Sequence, residues 1–164
     1  MKPVRIIRAC APISSLQRGT AAIEFALVFS VLFLAIYGLI TFGGVLYVQQ
    51  VVARAAEDGA RAAQLAQPNT TPEELRANVL SAVYRSLALS SITPASAGAT
   101  NSSKEIWIRA KMLEAPPEVV ISLGKVAVRV SYPYKANPLL PPLPLTGTWM
   151  PERLFGKATA ATAS

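Results

Sequence analysis

The chain has 164 residues, 52% of them apolar, with 16 basic and 9 acidic groups and no histidine. That length allows one modest domain, and a mean hydropathy of +0.38 exceeds what a soluble domain of this size needs. Without histidine, His-based general catalysis, His metal ligands and a serine triad of the usual type are excluded.

Residues 1–19 read as a cytoplasmic basic leader. Lys2, Arg5, Arg8 and Arg18 stand here with no acid among them, and they supply four of the formal net charge of +7. Residues 20–164 hold the other twelve basic groups against nine acids. These are scattered, without the clustering or aromatic interleaving of a phosphate-reading surface, so no nucleic-acid partner is expected. Cys10 is the single cysteine, which excludes an internal disulfide. Its lipidation is not expected either, because the nine residues before it include three basic groups and no apolar segment.

A long apolar run follows. From Phe25 to Val48 only Ser30 and Thr41 are polar, and after Glu24 no charge occurs before Arg54. Those positions, at about 1.5 Å rise each, extend roughly 36 Å, enough to cross a ~30 Å hydrocarbon core with some tilt. One transmembrane helix is predicted. A cleaved secretory signal would have an apolar region of only ~7 to 15 residues. Four basic groups before the span against Arg54 and Arg61 after it favour a cytoplasmic N-terminus, which puts the rest of the chain in the periplasm. Ala22, Ala26 and Ser30 recur every four positions and form a possible helix-packing face of the small-xxx-small kind. Gly43-Gly44 is a place where the helix could bend.

The residues at the mouth of this run carry a resemblance. Gly19 followed by "TAAIEF", Thr20 to Phe25, and then an apolar helix resembles the G-x-x-x-x-E-F processing site of type IV prepilins. With "VVARAAEDGARAA" continuing it, the segment is most similar to the TadE-like pseudopilins of tight-adherence (Flp) pilus systems. Thr20 departs from type IVa and type II secretion relatives, which usually place Phe directly after the Gly. The resemblance implies cleavage between Gly19 and Thr20 by a prepilin peptidase at the inner membrane, and partnership with other pilin or pseudopilin subunits and the pilus assembly machinery. It also implies that Glu24, with Phe25 beside it, acts as a register mark by pairing with the new amino terminus of a neighbouring subunit.

The chemistry of that site can be argued from the residues as well. Glycine before the cut lets a peptidase approach the backbone closely. Cleavage would leave an ammonium four positions before Glu24, and i,i+4 positions share a helix face. Pairing would relieve the cost of a charge at the edge of hydrocarbon. The alternative is a glutamate resting among headgroups and favouring the helix N-terminus through the macrodipole.

Residues 20–67 are expected to form the transmembrane helix and its extracytoplasmic extension. In it Arg54 would pair with Asp58 and Glu57 with Arg61, with Pro68-Asn69 as its end. Residues 68–134 read as a small α+β domain. Thr71, Pro72 and Glu74 give a capping box with proline in the first turn, and Leu75, Val79, Val83 and Leu87 form a stripe expected to face a sheet. Residues 90–103 read as a mobile loop. Alternation predicts strands in "EIWIRAKML" and "KVAVRVSY", with "VVISL" between them, and puts Arg109, Lys111, Lys125 and Arg129 on a solvated basic face. Residues 135–164 read as a Pro-rich extended tail with a frayed "KATAATAS" end. The expected fold class is α+β and pilin-like: a long N-terminal transmembrane helix continuing outward, then a second amphipathic helix packed on a small antiparallel sheet.

No catalytic, cofactor-binding or metal-binding residue is expected, and no cofactor. The sequence reads as a minor pseudopilin or assembly factor of a Flp-type pilus. Two other readings remain: an unprocessed single-span anchor whose outer domain binds an envelope partner, and an exported domain released by signal peptidase near residues 53–63.

Overall fold

The structure, a computed structural model, describes residues 14–67, 69–122, 124–140 and 150–161, with side chains from residue 19 onward. Lys2, Arg5, Arg8, Cys10, the Arg18 side chain and the prolines of 141–149 lie outside the described residues. In chain order the elements are α1 (Ser14–Gln64), α2 (Pro72–Ala88), a 3-10 turn (Ala95–Ala97), α3 (Asn101–Lys111), β1 (Glu118–Ser122), β2 (Lys125–Tyr132) and β3 (Leu154–Ala161). This is an α+β chain with a long apolar N-terminal helix and a small antiparallel sheet. Two compact units divide it, one reaching Ile40 and the other running Thr41–Ser164.

In the first unit α1 is helical because no proline interrupts it and its residues are mostly Ala, Leu, Phe and Ile, whose cost in a helix is small. Its large apolar side chains, Ile23 through Ile40, are exposed. Among the described residues Gly19–Gln64 is the one helix long and apolar enough to cross a membrane. It runs unbroken through Gly43-Gly44.

In the second unit the outer part of α1 becomes a core element. Val48, Val52, Ala55, Ala56, Ala60 and Ala63 are buried at the i, i+4, i+7, i+8 spacing of one helix face. The predicted stripe of α2 is buried too, but its Val79 and Val83 face α1 at Gly59, so α1 stands between this part of the stripe and the sheet it was expected to face; α2 as an element also meets β1. At Gly59 helix α1 lies between α2 and the sheet: a Cβ there would stand 2.6 Å from Val83 Cγ2 and 3.3 Å from Val128 Cγ1. The capping box of α2 forms as predicted, with Glu74 N–H donating to Thr71 Oγ1 (3.3 Å) and Thr71 N–H to the Glu74 carboxylate (3.2 Å).

The sheet order is β1-β2-β3, antiparallel throughout. The β1–β2 hairpin closes where Ser122 pairs with Lys125, and Gly124 adopts φ 68°, the left-handed region that glycine enters most cheaply. Along β2, Val126, Val128, Val130 and Tyr132 face the core while Lys125 and Arg129 face solvent. That alternation was legible in the sequence.

Four expectations are corrected. "EIWIRAKML" lies in and just after α3 rather than in a strand: the Ser103 N–H donates to Thr100 Oγ1, capping the helix, and Ile108 with Met112 buries one face at i,i+4 spacing. Arg109 and Lys111 are therefore not on the sheet. Its outer face carries Lys125, Arg129 and Lys157, with Glu118 opposite Arg129. Residues 90–103 are not one loop, since they hold the 3-10 turn and the first turn of α3. The third strand comes from Leu154–Ala161, inside the stretch read as a tail with a frayed end. Lastly, neither Arg54–Asp58 nor Glu57–Arg61 closes to ion-pair distance among the described residues. The Asp58 carboxylate instead accepts the Ser86 hydroxyl at 2.7 Å, tying α1 to α2.

Candidate assembly helix

Gly19, Thr20, Ala22, Glu24, Phe25, Ala26 and Ser30 all lie on α1, exposed. At ~100° per residue, Thr20 and Glu24 stand on one face about one turn apart, whereas Glu24 lies roughly 200° round the helix from Ala22. The carboxylate and the small-residue stripe thus address different sides of the helix. Among the described residues no cation lies at ion-pair distance from Glu24, so any counter-charge comes from elsewhere.

Gly19 has an ordinary φ, and a Cβ built there meets nothing within 4 Å. Neither backbone conformation nor packing among the described residues requires glycine at this position. The Ser30 hydroxyl donates to the Ala26 carbonyl at 2.7 Å, which satisfies it inside its own helix and leaves the stripe without an unmet polar group. Beside that stripe runs an aromatic ladder. Phe25, Phe29, Phe33 and Tyr37 stack in succession with ring centroids 6.1, 6.4 and 6.2 Å apart. Its four-residue spacing was visible in the sequence but was overshadowed by the Gly–Glu spacing.

Residues 19–61 match the family model described as TadE-like protein. The TadE-like segment begins at Gly19, runs through Glu24 and the aromatic ladder, and ends in the part of α1 that packs against α2 and the sheet. It points to a membrane protein associated with a Tad pilus, and such proteins are pilus components. No curated protein and no solved structure matches the chain.

Among the described residues of the second unit the shifted titratable groups are tyrosines. Tyr84 is raised above the ordinary tyrosine value by burial, opposed by the Arg109 guanidinium stacked 4.2 Å over its ring. Burial, with Tyr134 nearby, raises Tyr132 to about 12. Both phenols are therefore neutral at neutral pH and are held in the core.

Proposed function

We propose that the chain is a minor pseudopilin or assembly factor of a Flp/Tad-type pilus, inserted in the inner membrane with its N-terminus in the cytoplasm and residues 68–164 in the periplasm. A prepilin peptidase releases residues 1–19, and Glu24 then pairs with the amino terminus of a neighbouring subunit. The observation that carries this reading is Gly19: it stands five residues before Glu24, the one acid between Gly19 and Arg54, in a position where no described neighbour requires glycine. Glycine costs a helix about 1 kcal/mol relative to alanine, so the backbone at the cut also unwinds more easily into a peptidase.

N-terminal sequencing of the protein from native membranes tests the reading. A start at Thr20 that is lost in Gly19→Leu, with insertion intact, supports it. A start at Met1 favours the unprocessed anchor, and one within residues 53–63 favours an exported soluble domain.

A further inference from the structure

The outer end of the apolar run is ringed by apolar groups from other parts of the second unit. A Cβ on Gly44 would meet Leu139 Cδ2 and the Tyr134 hydroxyl at 3.9 Å and Leu140 Cδ1 at 4.0 Å. The segment after β2 therefore lies beside α1 four residues before the run ends at Val48. Tyr47 shares a groove with Leu89, just past the end of α2, and Val48 lines another with Ile92, Pro94 and Leu139. Three separate chain segments thus reach the same level of α1.

Apolar side chains are left uncovered at that level, beside the exposed polar Gln50 and Ser91 of the same grooves. Leu46 is 47% exposed, Tyr47 38%, Leu89 58% and Leu139 41%. Among the described residues at the opposite end of the sheet, Ser122, Gly124 and Lys125 of the hairpin are exposed and polar or small. Arg54, the first charge after the run, lines the Tyr47–Leu89 groove one to two turns further out. Leucines at the outer end of the apolar run, a tyrosine among them and an arginine just beyond match the order in which a bilayer interface accepts these groups.

We infer that Leu46, Tyr47, Leu89 and Leu139 form a rim seated in the outer interface of the bilayer that α1 crosses, with lipid acyl chains and headgroups as its partner, so that the domain rests on the membrane instead of standing clear of it. The inference depends on α1 spanning the membrane. Continuity selects lipid as the occupant, because the rim adjoins residues 41–48 of the apolar run itself. Resting on the bilayer fixes how the domain is presented to neighbouring subunits.

The full chain carrying Cys10→Ser, reconstituted in phosphatidylcholine–phosphatidylglycerol vesicles, provides the test. A bimane label is placed in turn at Leu34→Cys, Leu89→Cys, Leu139→Cys and Ser122→Cys, all exposed positions whose replacement leaves the core intact. Brominated acyl chains are expected to quench the labels at 34, 89 and 139 several-fold more than the label at 122. Labels at 89 and 139 that respond no more than the one at 122, while 34 is quenched, overturn the rim and leave the span standing; a protein partner would then be what covers these leucines. An unquenched label at 34 overturns the span and the rim with it.

Discussion

Gly156 of β3 lies directly against the backbone of Val52 in α1. A Cβ built there would collide with the Val52 carbonyl and would stand 2.7 Å from its carbon and 2.8 Å from Ala53 Cα. Backbone cannot swing away as a side-chain tip can, so this contact sets how closely the edge strand approaches the helix. Gln49 reinforces the same joint, its amide donating to the Phe155 carbonyl at 2.7 Å. Gly156→Ala should cost about 1 to 3 kcal/mol, the range for forcing extra volume into a packed core. Gly43→Ala, which meets no atom within 4 Å, should cost nothing comparable. Denaturant midpoints of the detergent-solubilised chain compare them, and equal midpoints would show that β3 can move off the helix.

The same joint marks where the sequence could and could not be read. The long helix, the capping box at Thr71 and β2 were legible because each rests on a local pattern: an uninterrupted apolar run, a cap with its reciprocal glutamate, strict alternation. The α3 segment was misread because Ile106, Ile108, Ala110 and Met112 satisfy alternation while Ile108 and Met112 also satisfy i,i+4. What decides between them is burial beside α2, where Arg109 covers Tyr84, and that is tertiary information. Strand β3 was missed for a related reason. "LFGKATAA" offers little apolar bulk, and the smallest of its core-facing residues, Gly156, makes sense only once α1 is known to press on it. In the candidate assembly helix only a spacing, Gly19 to Glu24, can be read from the sequence, because it is a property of the local motif and not of packing.

Loss of the cap should be measurable separately. Thr71→Ala removes the acceptor for the Glu74 N–H and the threonine half of the reciprocal pair, and replacing such a cap costs about 1 kcal/mol. Because α2 buries Leu75, Val79, Val83 and Leu87, fraying of its first turn loosens Leu75 first. Thr71→Ser should restore most of the loss in chemical denaturation. A serine variant as weak as the alanine one would mean that the methyl group, not the hydroxyl, matters here.

Alkaline pH should unfold the second unit through its buried phenols. Tyr132 titrates at about 12 in the fold against 10.0 for an ordinary tyrosine, mainly because burial disfavours the phenolate. The group's folded value lies above its unfolded one, so its stabilising contribution is complete below pH 10 and is lost as pH rises towards 12. Tyr84 and Tyr134, also raised by burial, act in the same direction. Denaturant midpoints followed across that window should fall, and Tyr132→Phe should make the fall shallower. An unchanged slope in the variant would assign the alkaline loss to the other two tyrosines.

Glu24 decides between a register mark and a headgroup-level glutamate. Its carboxylate has no cation at ion-pair distance among the described residues and lies on the helix side away from Ala22, so a neighbouring subunit's ammonium can reach it without displacing helix packing along Ala22, Ala26 and Ser30. Glu24→Gln keeps the size of the side chain and removes the charge, whose insertion near the bilayer centre costs about 2.5 to 3.5 kcal/mol and less at its edge. The variant should therefore insert at least as well as the parent and should still be cut after Gly19, since the cut lies one turn away and needs no carboxylate. What it should lose is attraction for the partner's new terminus, so membrane levels stay normal while assembly falls. Quantifying surface pili by shearing, alongside the mass of the membrane-bound subunit, separates these effects. Full piliation with Glu24→Gln would reduce Glu24 to a residue that sits among headgroups and favours the start of its helix.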